Sequence, residues 1–237
     1  MEGKRLSKER IELEKFGRTL IDKLRSEKSL VKIPKRRKIF RGKLKESAVL
    51  LLSDMHIGLE NYFVDLDTGE ATLTYNIEIA VKEANRLIDS IAGINQLLSK
   101  SYDIDTLYIF ALGDLVEGDI IIQNQKFFIE AGVGNQMLFT VKLLTNMIQE
   151  LLKMFKNVKM INIAGNHGRM TRRAYVPQPF YNNFDFLIGK MLQQVFRNEP
   201  RVEIQTPEAW FFRTKIYNWQ YFLHHGATIR SWLGIPY

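Results

Sequence analysis

The sequence predicts a layered α/β fold with mixed β-sheets flanked by helices, preceded by a basic helical N-terminal arm. Between residues 46 and 200, short apolar runs alternate with amphipathic segments of helical period, as in strand–helix units. Beyond residue 200, short strand-like runs follow one another without a helix between them. The first 45 residues have a helical apolar pattern and a strong positive charge.

The positive charge is confined to this N-terminal arm. Residues 1–45 contain 17 Lys and Arg against 6 Asp and Glu, a net +11, whereas the other 192 residues carry a net −3. Apolar residues recur at helical spacing over residues 7–28, and a basic linker containing Pro34 follows. We therefore predict an arm and linker over 1–45 and a folded domain over 46–237. A basic arm suggests nucleic acid as a partner, although a solvated helix with a basic linker explains the composition equally well.

Composition also limits the chemistry. The chain has no cysteine, which excludes disulfides and thiolate metal sites. Its N-terminus lacks the apolar segment of a signal peptide, and no apolar run approaches the ~18 residues of a membrane span. The expectation is a soluble, cytoplasmic protein. The sequence indicates neither a protein partner nor an oligomeric state.

Periodicity and turn residues place the individual elements. The polar segment Asp67-Thr68-Gly69 predicts a hairpin turn, and Asn76 predicts the cap of a long helix. We expect that helix to bury Val81, Ala84, Leu87, Ile88, Ile91 and Leu98. The predicted strands are 49–52, 62–64, 71–73, 106–112, 158–164, 202–205, 210–214 and 217–223, and the other helices are 136–155 and 183–196.

Four predicted strands end in residues that can bind metals or transfer protons. The endings are Ser53-Asp54-Met55-His56, Gly113-Asp114, Gly165-Asn166-His167-Gly168 and His224-His225-Gly226. All four histidines of the chain lie at these endings. Ligands bind at the carboxyl ends of strands in open α/β sheets, so we expect the four endings to converge. Oxygen and imidazole donors without thiolates indicate a site for borderline-to-hard divalent ions.

The order of these motifs resembles the calcineurin-like metallophosphoesterases, in the branch of phage and prokaryotic DNA-metabolism or exonuclease-like enzymes. The intervals from Asp54 through Asp114 and Asn166 to His225 are 60, 52 and 59 residues. The resemblance covers about residues 46–237 and implies the metallophosphoesterase fold for this domain. It also implies hydrolysis of phosphodiester bonds, with nucleic acid as the expected substrate.

The resemblance further implies two divalent metal ions, with manganese expected first and iron, zinc or magnesium as alternatives. Asp54 and His56 would hold one ion, Asn166 and His225 the other, and Asp114 would bridge them. A hydroxide shared by the ions would attack phosphorus. His167 would act as the general acid.

Several residues near these motifs have less certain roles. Arg169, Arg172 and Arg173 are candidates for clamping substrate phosphate, although Arg172 and Arg173 also fit a solvated basic loop. His225 is favoured over His224 as a ligand because it directly precedes Gly226. Glu117 and Asp119 follow Asp114 closely, and we expect them to support the ligands or face solvent rather than bind metal.

Two departures from the family pattern affect the prediction. The family usually has Asp or Glu after Gly-Asn-His, where this chain has Gly168, so another carboxylate must orient His167. The family's closing Gly-His-x-His motif does not follow His225. We therefore expect the natural chain to continue beyond Tyr237, and the present chain to hold metal weakly. The alternative functions are a phosphomonoesterase on nucleotides or phosphoproteins and a non-catalytic module that binds nucleic acid or a partner.

Overall fold

A computed structural model describes residues 43–171 and 180–227, and the backbone of two short strands, Ser231–Trp232 and Ile235–Pro236. The chain divides after Arg41 into two units, and all described residues belong to the second. The predicted arm helix and basic linker therefore lie outside the described residues. The first strand begins at Leu44, two residues before the predicted start of the domain at 46.

A four-stranded parallel sheet forms the centre of the domain. Its strands are β1 (Leu44–Leu52), β4 (Tyr102–Ala111), β5 (Asn157–Asn162) and β6 (Val202–Gln205), in the order β1-β4-β5-β6. Every neighbouring pair in this sheet is parallel. The carboxyl ends of β1, β4 and β5 therefore meet at one edge of the sheet, as the sequence predicted.

The antiparallel strands form separate pairs. These are β2 (Asn61–Val64) with β3 (Ala71–Tyr75), β7 (Phe211–Ile216) with β8 (Trp219–His224), and β9 (Ser231–Trp232) with β10 (Ile235–Pro236). Within the described residues no antiparallel strand joins the central sheet, so the prediction of a mixed sheet is wrong there. The error comes from β6, which was grouped with the later hairpins but pairs in parallel with β5.

Three α-helices were predicted in the described domain and are observed: α1 (Ile77–Leu98), α2 (Val133–Leu151) and α3 (Phe184–Val195). Asn76 caps α1 as expected, because its side chain accepts a hydrogen bond from the backbone nitrogen of Ile79 at 2.9 Å. The predicted buried face of α1 is only partly correct. Val81 and Leu98 are 39% and 37% exposed, whereas Ala80, which was not predicted, is buried beside Ala84.

The sheet is covered on both faces, as its continuous apolar strands require. Leu107, Ile109 and Ala111 of β4 pack in one core with residues of the three helices. Phe110, which points to the opposite face, packs in a second core with Ile216 and Leu223 of the β7–β8 hairpin. The result is an α/β fold with helices on one face of a parallel sheet and a β-hairpin on the other. No helix in the described residues is both long and apolar enough to cross a membrane.

Candidate metal centre

The predicted motifs lie together at the carboxyl edge of the sheet. Beyond the strands, the loops after β1 and β4 remain paired through their backbones. The nitrogen of Asp54 donates to the carbonyl of Gly113 at 3.1 Å, and that of His56 to the carbonyl of Asp114 at 3.0 Å. Parallel pairing then resumes at Ile57 and Val116. The two loops are therefore held at a fixed register while their side chains point into the site.

The backbone at these ligand positions is strained. Asp54, His56 and Asp114 have φ angles of 53°, 45° and 51°, in the left-handed region that non-glycine residues seldom occupy. Each such residue costs on the order of 1 kcal/mol or more and persists only where its surroundings enforce it. Strain at three predicted ligands supports a functional role for this edge.

The first group of candidate ligands consists of Asp54, His56 and Asp114, which offer ligand atoms within 4.8 Å of one another. Nε2 of His56 lies 3.8 Å from Oδ1 of Asp54. Nδ1 of His56 donates a hydrogen bond to Oε2 of Glu117 at 2.7 Å. A carboxylate bound to one ring nitrogen leaves the other nitrogen unprotonated and aimed at a metal, so His56 is held in a ligand-ready state.

The second group consists of Asp114, Asn166 and His225. Nε2 of His225 lies 3.1 Å from Oδ2 of Asp114 and 2.9 Å from Oδ1 of Asn166. Nδ1 of His225 donates to the carbonyl of Leu112 at 2.7 Å, which again leaves Nε2 as the metal-facing nitrogen. Asp114 is thus common to both groups, as the bridging role requires.

The structure distinguishes between the two neighbouring histidines. His225 faces Asp114 and Asn166, whereas Nδ1 of His224 accepts a hydrogen bond from the backbone nitrogen of Gly226 at 2.8 Å. Adjacent residues at a strand end face opposite ways, so only one of the pair can enter the site. That residue is His225.

The donor set fits a divalent cation. Carboxylate, amide oxygen and imidazole nitrogen converge without a positive side chain between them, which matches ions of borderline-to-hard character. The hydrogen bond to Asp114 raises the pKa of His225, and although burial alone would raise the pKa of Asp114, its contacts with His225 and His167 lower it. The His and Asp side chains of these groups are therefore positioned to hold a metal ion.

Glu117 is the carboxylate that was expected to orient His167, since Gly168 has no side chain to do so. Its side chain is 3% exposed, and its Oε2 lies 2.7 Å from Nδ1 of His56 and 3.3 Å from Nδ1 of His167. These are hydrogen-bonding and close ion-pair distances, so we interpret Glu117 as orienting both imidazoles rather than as a ligand. Burial raises the pKa of Glu117, but hydrogen bonds from His167, His56 and Gln125 outweigh it and lower the pKa to about 2.

Position 168 has no room for a side chain. A Cβ atom at Gly168 would lie 2.6 Å from Oδ1 of Asn183 and 3.0 Å from Oδ2 of Asp185. Any side chain there would displace the side chains of these two residues. The carboxylate that faces His167 therefore comes from the loop after β4.

His167 lies against both ligand groups. Its backbone nitrogen donates to Oδ1 of Asp114 at 2.7 Å, and its ring meets that of His56 edge-on with centroids 4.6 Å apart. Nδ1 contacts the carbonyl oxygen of Glu117 at 3.0 Å, which leaves Nε2 as the nitrogen able to transfer a proton. Burial lowers the pKa of His167, but the hydrogen bond and charge of Glu117 raise it above its usual value.

Sequence reasoning missed Asp185, which is fully buried in the first turn of α3. Its carboxylate accepts backbone hydrogen bonds from Asp114 at 3.0 Å, Leu115 at 3.1 Å and Gly165 at 2.9 Å. Burial raises the pKa of Asp185 to about 6, although these three N–H groups favour the anion. The residue therefore joins the loops that carry Asp114 and Asn166. An acidic residue in the first turn after a capping Asn is a common helix start, so the sequence carried no signal of this role.

The predicted phosphate clamp is only partly described. Nε of Arg169 donates to the carbonyl of Asn166 at 2.8 Å, so this side chain braces the ligand loop. Arg172 and Arg173 lie outside the described residues. Their proposed contact with phosphate stays a prediction.

No protein-family model matches the chain, and no curated protein matches it either.

Proposed function

We propose that this protein is a metal-dependent phosphodiesterase of the calcineurin-like metallophosphoesterase type, acting on nucleic acid with two divalent ions, manganese first among them. The observation that carries the proposal is the position of Asp114, whose carboxylate belongs to both ligand groups. A shared carboxylate holds two ions close together, and divalent ions held there would supply Lewis acidity at phosphorus. Iron, zinc and magnesium fit the same donors less specifically.

The chain's own residues supply positioning and proton transfer. Asp54 and His56 define one side of the centre, and Asn166 and His225 define the other. Asn166 contributes an oxygen without a negative charge, which keeps the site attractive to a phosphate anion. The hydrogen bond and charge of Glu117 raise the pKa of His167, which favours the protonated imidazole, and Nε2 of His167 would donate that proton to the departing oxygen.

A manganese-dependent assay tests the proposal directly. Purified protein is incubated with Mn²⁺ and either bis-p-nitrophenyl phosphate, p-nitrophenyl phosphate, or single- or double-stranded DNA. Hydrolysis of the diester and of DNA, abolished by chelation and by Asp114→Asn, is the expected result. Faster hydrolysis of the monoester would favour a phosphomonoesterase, and binding of DNA without hydrolysis of any substrate would favour a non-catalytic module.

We propose that the N-terminal arm contacts nucleic acid without recognising its base sequence. We also propose that the protein is cytoplasmic. Removal of residues 1–41, which leaves strand β1 whole, takes away a net +9 charge. It should weaken DNA binding most at low salt, since phosphate contacts act through counterion release. Hydrolysis of bis-p-nitrophenyl phosphate should stay unchanged. Equal DNA affinity of both forms at low salt would assign the arm another role.

A further inference from the structure

An open cavity of about 630 Å³ lies at the loop that follows Glu117. It is lined by residues of the segment 119–127 and by Met170 and Thr171, which follow His167 closely in the chain. Its volume falls within the range of about 300–1,000 Å³ that is typical of small-molecule sites. Within the described part of the chain, none of the residues predicted from the sequence to bind metal, substrate or a proton lines this cavity.

The cavity loop is fixed against His167. Gly118, at the start of the loop, has a φ of 75°, and a Cβ atom there would lie 2.4 Å from the carbonyl oxygen of His167. Gln136 holds this glycine, because its side-chain oxygen accepts a hydrogen bond from the nitrogen of Gly118 at 2.9 Å. Only glycine permits this close approach of the start of the loop to the backbone of His167.

Gln125 connects the cavity wall to the proton donor. Its Oε1 accepts from the nitrogen of Ile121 at 2.7 Å, which shapes the loop, and its Nε2 donates to Oε1 of Glu117 at 2.6 Å. Glu117 in turn lies 3.3 Å from Nδ1 of His167. The wall is thus two polar contacts away from the imidazole. The cavity therefore lies next to the residue that would protonate the leaving oxygen, and it is connected to that residue at Nδ1, opposite the proton-donating Nε2.

The lining suits an uncharged aromatic heterocycle. Phe127 is 80% exposed and Ile122 is 55% exposed, and Gln123 adds an amide that can both donate and accept hydrogen bonds. Among the described lining residues, one acidic residue, Asp119, balances one basic residue, Lys126. Bases of single-stranded nucleic acid are bound through aromatic stacking and hydrogen bonds of this kind.

We propose that this cavity is the subsite for the nucleoside on the leaving oxygen, with Phe127 as its stacking surface. The inference rests on the proposed phosphodiesterase function. It adds that the substrate carries a base on the leaving side, as an oligonucleotide does.

The first test measures binding without metal. Chelator-treated protein is titrated with 2′-deoxyadenosine and followed by NMR, in wild type, Phe127→Ala and Trp219→Ala. Trp219 is a matched control, because it is an aromatic side chain, 74% exposed, at the end of β8 remote from His224. Phe127→Ala should weaken binding by about tenfold, the effect of losing one base–aromatic stack, while Trp219→Ala leaves it unchanged. Absence of binding in wild type, or equal binding in all three proteins, overturns the subsite.

The second test compares two substrates with similar alkoxide leaving groups, a thymidine dinucleotide and the methyl esters of thymidine 3′- and 5′-monophosphate. The dinucleotide always releases a nucleoside, whereas the methyl esters release methanol or thymidine, so the release of methanol is the reaction measured for the methyl esters. Phe127→Ala should raise KM for the dinucleotide by about tenfold and leave KM for the methyl esters unchanged. Equal effects on both substrates, or none, overturn the inference. The wild type could bind the nucleoside and lose this binding in Phe127→Ala, yet hydrolyse no diester. That result would contradict the proposed function but support the nucleoside site.

Discussion

Replacing Glu117 with glutamine tests the organisation of the whole centre in the metal-free protein. The substitution keeps the side-chain shape and removes the negative charge that faces Nδ1 of His56 and of His167. In the wild type, Oε1 of Glu117 accepts a hydrogen bond from Nε2 of Gln125. The glutamine side chain would bring an NH2 group that can only donate hydrogen bonds. A buried anion that accepts several hydrogen bonds thus becomes a poorly matched neutral group.

The magnitude follows from the pKa. Glu117 is 3% exposed, so solvent screening does not reduce the effect, and its pKa falls from 4.5 to about 2. At 1.36 kcal/mol per pKa unit, this shift corresponds to about 3 kcal/mol of unfolding free energy at pH 7. Because the folded-state pKa is lowered, this stability is present above about pH 4.5 and is lost as pH falls towards 2. Near pH 3 roughly half of it should remain.

The assay is urea unfolding of chelator-treated wild type, Glu117→Gln and Glu46→Gln. Glu46 is exposed on β1 and serves as the matched control, which we expect to change the unfolding free energy by less than about 0.5 kcal/mol. Glu117→Gln should cost about 3 kcal/mol at pH 7 and clearly less at pH 3. A loss at pH 7 no greater than that of the control, or a loss that grows on acidification, would refute the reasoning.

A second measurement separates this local effect from general destabilisation. The chain has 4 histidines, so their ring signals can be resolved by NMR and titrated individually. Glu117 raises the pKa of His167 through its hydrogen bond and its charge, and the pKa of His167 should therefore fall in Glu117→Gln. An unchanged pKa of His167 would show that Glu117 does not control its protonation.

Three further substitutions address single groups. Asp114→Asn should abolish metal binding and hydrolysis, because one carboxylate serves both ligand groups; unchanged manganese stoichiometry by calorimetry would exclude bridging. His167→Ala should retain metal but lower turnover by ~10²–10⁴-fold, and less for p-nitrophenolate esters; equal losses for good and poor leaving groups would exclude the acid role. Asp185→Ala leaves three buried N–H groups unpaired and should cost about 3 kcal/mol or more in urea unfolding, unlike exposed Asp89→Ala; equal costs would contradict the anchoring role.

Local patterns in the sequence determined the elements and the strand endings. Apolar runs and capping residues such as Asn76 act over a few neighbouring positions, so they predicted helices α1 to α3 and the β2–β3 hairpin within a few residues. The positions of Asp54, Asp114 and Asn166 directly after strands also predicted that they would meet, since parallel strands end at one edge. These features depend on chain-local geometry and on one general rule of sheet topology.

Only the tertiary structure decided how these parts are combined. β6 joined the parallel sheet because α3 carries the chain back beside β5, a pairing that no local pattern specifies. His225 rather than His224 entered the site because the β7–β8 hairpin packs on Phe110 and fixes which way its strand end faces. Glu117 and Asp185 gained their roles through contacts with residues 50 to 71 positions away in the chain. Such contacts exist only once the fold has brought distant segments together, and the sequence by itself does not record that proximity.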